Sequence, residues 1–148
     1  MKKIFLILFT ISTLLSCESD DGITYTTPDY ISGKWVLNQI GSINAQNVLV
    51  YQNYINGEGC EKNNYLFNSN GSYEKNEYQL VDAVCQNLQQ IGTYEVNSNL
   101  IILSYFNEEN QNATIDLTIV TLTYTEIQIS YTDKDTNELV FLKLKKDE

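Results

Sequence analysis

Few side chains in this sequence could carry bond-making chemistry, and their spacing decides what each can do. There is no histidine. That removes Ser-His-Asp and Cys-His activation of a nucleophile, and every imidazole metal ligand. Three cysteines stand at Cys17, Cys60 and Cys85, with no C-x-x-C pair of the kind that metal and redox sites use. Glu108 and Glu109 are adjacent carboxylates in the polar stretch Asn107 to Asn112. Two carboxylates act as acid and base only in a pocket that separates their pKa values, and this stretch reads as a solvated loop. Asp133, Asp135 and Asn137 match the start of a calcium loop, but Glu138 stands where that loop needs glycine and Leu144 where it needs glutamate. They read as a hairpin turn. No nucleophile elbow, phosphate loop or dinucleotide fingerprint occurs. The expectation is a non-enzymatic chain with no catalytic residue, no metal ligand and no cofactor.

The tyrosines are a softer signal. There are 11 of them against one tryptophan. Tyr51, Tyr54, Tyr65, Tyr73 and Tyr78 share the first half of the chain with many asparagines. Tyrosine and asparagine together suit sugar or peptide surfaces, through stacking and adaptable hydrogen bonds. They equally suit plain solvent-facing strands.

Charge narrows the partners. Nine basic residues stand against 19 acidic ones, for a formal net charge of −10. Such a surface repels phosphates, so nucleic acid is excluded as an expected partner. The 148 residues, 43% of them hydrophobic, fit one folded domain and not a disordered chain.

The N-terminus reads as an address. Lys2 and Lys3 precede the apolar run Ile4 to Ile11, broken only by Thr10. A run this short cannot span a bilayer, which takes about 20 residues, but it fits a signal peptide. Leu14-Leu15-Ser16-Cys17 resembles the lipobox of bacterial lipoproteins. The resemblance implies a signal peptide over 1–16, cut before Cys17, and acyl chains on Cys17 that anchor the protein to the outer membrane. Glu18, Ser19, Asp20 and Asp21 follow at once. This run resembles the export tag of surface lipoproteins in the Bacteroidetes, which implies display at the cell surface. It reads as well as a charged, extended tether over 17–30. With Cys17 carrying lipid, Cys60 and Cys85 remain as a pair. In an oxidising compartment an even number of cysteines points to a disulfide.

From Gly33 onward the chain reads as strands. Ile115, Leu117 and Ile119 alternate with Asp116 and Thr118; Ile127, Ile129 and Tyr131 with Gln128 and Ser130; Val140, Leu142 and Leu144 with Phe141 and Lys143. Alternation of this kind puts apolar side chains on one face. Turn residues separate the runs, notably Asn70-Gly71, whose two residues both accept positive φ, and Asn97-Ser98-Asn99. The reading gives strands near 33–42, 47–55, 63–69, 72–80, 91–97, 99–106, 113–124, 126–132 and 138–146. Only Asp82 to Gln90 reads as a stretch that could hold a helical turn. Eight or nine short strands with tight connections predict an all-β, antiparallel up-and-down barrel, with a two-sheet sandwich as the competing arrangement.

Gly33-Lys34-Trp35 looks like the Gly-x-Trp signature of the lipocalins. Cys60, Tyr65-Leu66-Phe67, Asn70-Gly71-Ser72-Tyr73, Cys85 and Gly92-Thr93-Tyr94 follow in the order found in the lipocalin-like lipoproteins of the Bacteroidetes, and Leu122-Thr123 meets their late Leu-Thr step. The resemblance covers about residues 31–146, within a domain taken as 31–148. It implies a lipocalin-like barrel in which Trp35 plugs the closed end. The chain departs from other lipocalins in having no arginine, and so none on its last strand. By itself Trp35 also reads as an ordinary core residue. The function expected is binding of a small apolar or amphipathic ligand at the barrel mouth. The alternative is a surface module engaging protein or glycan through its strands and loops, with no internal ligand.

Overall fold

The computed structural model describes residues 28–57, 59–134 and 136–147. The signal peptide, Cys17, the Glu18 to Asp21 run and Asp135 lie outside the described residues. The described chain opens with a single helical turn, α1 (Pro28–Ile31), and continues as nine strands: β1 (Gly33–Ile43), β2 (Leu49–Asn53), β3 (Asn64–Phe67), β4 (Ser72–Val81), β5 (Val84–Asn97), β6 (Leu100–Phe106), β7 (Asn112–Leu122), β8 (Glu126–Thr132) and β9 (Leu139–Lys146). Among the described residues no helix is long and apolar enough to cross a membrane.

All pairs are antiparallel, and β1 also pairs with β9, from Trp35↔Lys146 to Gly41↔Phe141. That pairing closes an eight-stranded barrel and decides against the sandwich. β2 is the ninth strand. It pairs with the outer half of β1 (Gln39↔Asn53), while β3 pairs with the inner half (Gly33↔Phe67). With β9 occupying the opposite edge of β1, β2 and β3 lie end to end along the same edge. They behave as one wall strand interrupted by residues 54–63.

The alternating apolar positions turn inward, and at one end they pack into a floor. Trp35, Phe67, Tyr73, Tyr94, Ile101, Leu103, Leu117, Ile127 and Leu144 are buried there, with Ile31 of α1 beneath them. Phe67 meets Tyr94 edge to face, ring centres 4.9 Å apart, a favoured aromatic geometry. Gly92 is required at this floor. A Cβ on it would lie 2.1 Å from the Ser104 carbonyl oxygen and 2.7 Å from the Tyr73 ring.

Two local expectations change. In the β3–β4 turn only Gly71 takes positive φ (84°), since Gly71 N donates to Asn68 O and Asn68 N to Ser72 O, which makes a longer turn than a two-residue Asn-Gly hairpin. Asp82 to Gln90 is not helical. Asp82 and Ala83 both take positive φ (50° and 61°), the two-residue hairpin turn whose twist matches paired strands. Val84 to Ile91 then pairs with β4 alone. From Leu88 back to Val84 its β4 partners, Glu77 to Val81, have no β3 neighbour, so this part projects past the barrel rim, and Val84 to Gln89 are exposed on both faces with no alternation to mark them.

Candidate functional site

The barrel has a filled end and an open end. At the filled end Trp35 is wholly buried and its Nε1 donates to the Ile31 carbonyl oxygen at 2.6 Å. The last strand supplies a cation without an arginine: Lys146 Nζ lies 5.1 Å from the centre of the Trp35 ring. A side chain at Gly33 would run into that lysine, its Cβ 2.7 Å from Lys146 Cε, and Gly33 itself takes φ 124°. Gly33 and Trp35 thus form the plug that the sequence motif implies.

The open end lies beyond Tyr65 and Leu103. Here the inward positions of β4 change from Tyr73 to Lys75 and Glu77, and those of β6, β7 and β8 to Tyr105, Ile115 and Tyr131. These residues line a cavity of about 940 Å³. A smaller space of about 120 Å³ continues from it toward Leu37, Tyr54, Tyr65, Val140 and Leu142. Lys75 Nζ and Glu77 Oε1 are 2.9 Å apart inside the mouth, with the lysine side chain 21% and the glutamate 47% exposed. Burial is the main cause that raises the phenols of Tyr54, Tyr65 and Tyr131 above their ordinary value, and the charge of Glu77 adds to it in all three. Burial likewise raises Tyr73. Among the inward-facing residues of β4 to β8 at the mouth, the charged ones are Lys75 and Glu77; Asp116, Asp133 and Lys134 line the cavity at its seam side.

The cavity also reaches the outside of the barrel through one seam. β7 and β8 pair only from Thr118↔Ser130 to Leu122↔Ile127. Beyond Thr118 they separate, and the cavity is lined by both faces of each strand: Thr114 and Asp116 as well as Ile115, Thr132 as well as Tyr131. Only a space passing between two strands touches both faces. Lys134 crosses this gap and donates from Nζ to the Thr114 carbonyl oxygen at 2.7 Å.

The other sequence candidates fall in varied places. Cys60 and Cys85 are bonded, Cα atoms 5.5 Å apart, tying the 54–63 interruption to the β4–β5 ribbon. Asn63 reinforces the same junction, its Oδ1 accepting from Tyr78 N at 2.7 Å. Glu108 and Glu109 are exposed in the β6–β7 loop. Asp133 works as a turn residue: its Oδ1 accepts from Thr136 N at 2.8 Å and Thr136 Oγ1 at 3.0 Å. The five tyrosines do not form one surface. Tyr65 and Tyr73 are core, Tyr54 lines the smaller space, and Tyr51 lies on the outer wall under Lys143, 4.6 Å from its ring centre. Lys75, Glu77, Tyr105 and Lys134 escaped sequence reading. The available signal was two charges at the inward parity of β4, two and four residues after Tyr73.

Comparison with known proteins agrees with this architecture. No curated protein sequence matches the chain. A lipocalin-like protein from Bacteroides uniformis superposes with a TM-score of 0.52 at 15% identity, covering 80% of this chain and 99% of that one. An uncharacterised protein from Bacteroides eggerthii superposes with a TM-score of 0.50 at 13% identity, covering 78% and 98%. These likenesses concern the fold. The sequence model of the lipocalin-like domain matches residues 31–129, most of the barrel with its plug, and on that ground the chain belongs to the lipocalin-like domain family.

Proposed function

We propose that this protein is a lipid-anchored lipoprotein of the outer membrane, displayed at the cell surface, whose barrel holds a small amphipathic ligand without transforming it. The observation that carries the binding reading is the cavity of about 940 Å³ above the aromatic floor. Its size falls in the range of small-molecule sites, about 300–1,000 Å³, which combine apolar walls with a few fixed polar groups. Ile115 and Leu139 supply apolar wall in the larger space, and Val140 and Leu142 in the smaller one beside it; Lys75, Glu77 and the tyrosine hydroxyls supply polar groups.

The anchor reading rests on Leu14-Leu15-Ser16-Cys17, and the surface reading on Glu18, Ser19, Asp20 and Asp21. Cells fed a fatty-acid analogue should label the wild-type protein and not Cys17→Ala; labelling of the variant contradicts the anchor. Neutralising the four-residue run should leave the protein anchored but shielded from added protease, and unchanged cleavage contradicts the sorting role. For the cavity, the neutral dye N-phenyl-1-naphthylamine should bind the chain from Ser19 onward, which contains every strand of the closed sheet. Failure to bind contradicts the internal-ligand reading.

One feature favours the second reading, a surface module for protein or glycan. Leu80, Val84, Leu88 and Ile91 are exposed on the projecting ribbon. Replacing Val84 and Leu88 with serine should leave dye binding unchanged if the cavity is the site.

A further inference from the structure

We propose that the mouth recognises an amphiphile with an anionic head group, which takes the place of the Glu77 carboxylate on Lys75. The inference rests on the cavity reading above and names the class of ligand. The two partners are unequally placed. Lys75 is the more buried, at 21% exposure against 47% for Glu77, with 2.9 Å between Nζ and Oε1. A cation held in a partly desolvated mouth needs an anion beside it. Glu77 is the more exposed partner, so turning it into solvent costs less than it would for Lys75. An incoming carboxylate or sulfonate therefore replaces one charge-assisted bond with another, and its chain gains contact with Ile115, Val140 and Leu142 along the cavity wall.

The charge of Glu77 adds to burial in opposing ionisation of Tyr54, Tyr65 and Tyr131, so these neighbours stay neutral beside the ammonium. The remaining carboxylates of the cavity, Asp116 and Asp133, belong to the seam wall of β7 and the β8–β9 turn. The net charge of −10 repels anions at long range, but salt screens exposed charges beyond about 8 Å at physiological ionic strength. Recognition is accordingly a short-range matter of Lys75.

The test uses two dyes that differ by one sulfonate, neutral N-phenyl-1-naphthylamine and anionic 8-anilino-1-naphthalenesulfonate, titrated against the chain from Ser19 onward. Glu77→Gln removes the built-in competitor and should tighten the anionic dye about two- to fivefold, the scale of one partly exposed ion pair. Lys75→Gln should weaken it about tenfold or more, the scale of a charge-assisted bond. The readout is the ratio of the two affinities in each variant, because the neutral dye shares the cavity but has no head group for Lys75. Should Lys75→Gln fail to fold because Glu77 is left unpaired, the double variant Lys75→Gln/Glu77→Gln replaces it. It should bind the anionic dye at least tenfold more weakly than Glu77→Gln does. An anionic dye that is unmoved by these changes, or that moves in step with the neutral one, overturns the head-group assignment while leaving the cavity reading intact. A neutral dye that fails to bind the wild type overturns the cavity reading itself.

Discussion

Lys134 stands in register with Thr114, where the β7–β8 ladder would have continued, and its Nζ bonds the Thr114 carbonyl oxygen at 2.7 Å in place of the missing backbone bonds. One side chain therefore does the work of a ladder rung across an open seam. Lys134→Met keeps the length of the side chain but removes the donor. Amides of Thr114 to Leu117 should then exchange with solvent faster, while global stability stays within about 0.5 kcal/mol, as for most surface changes. Unchanged exchange in β7 would mean that the lysine does not hold the seam.

The plug makes a sharper demand on stability. Trp35→Ala empties the most crowded part of the core and should cost about 3–5 kcal/mol, the usual range for a buried aromatic. Trp35→Phe retains most of the apolar contact but leaves the Ile31 carbonyl oxygen without its 2.6 Å donor, a loss of about 1–3 kcal/mol. Denaturant melts of the two variants would separate packing from the hydrogen bond. Equal losses would contradict the role given to Nε1.

Much of this was legible before the structure. The strands of the second half carry clean alternation, because each has one face on the core and one in water. The exposed ribbon did not, since Val84 to Gln89 has water on both faces and no reason to alternate. Closure was expected from the number of strands, but not which residues meet: Trp35 and Lys146 are paired across nearly the whole chain, and alternation specifies faces, not partners. The mouth was hidden for a related reason. Lys75 and Glu77 occupy inward positions of β4, where a charge contradicts the simple inside-outside rule, and that conflict was itself the mark of the site.

The Cys60–Cys85 bond spans 25 residues. Closing a loop of that size in the unfolded chain is worth about 3.5 kcal/mol in the chain-entropy account. Cys60→Ser/Cys85→Ser should lower the melting temperature and raise exchange in residues 54–63 and the ribbon, while the floor around Trp35 keeps its protection. A variant melting with the wild type would show that the bond contributes nothing.

Alkaline stability follows from the buried phenols. Burial raises Tyr65 and Tyr73 above the usual 10.0. Below that value folded and unfolded chains are both protonated there, and these groups add no pH dependence. Above it the unfolded chain releases protons that the folded one retains, so stability should fall as pH rises past about 10. Denaturant midpoints across pH 8 to 11 would show the decline; a flat profile would contradict burial of the phenols.

Ligand binding is assigned to the cavity at the barrel mouth. Its most direct test is an amide and methyl NMR titration of the chain from Ser19 onward with N-phenyl-1-naphthylamine. Shifts concentrated at Lys75, Tyr105, Ile115, Tyr131 and Val140 are the predicted result. Shifts confined to Val84, Leu88 and Ile91 of the ribbon, or none at all, would contradict it.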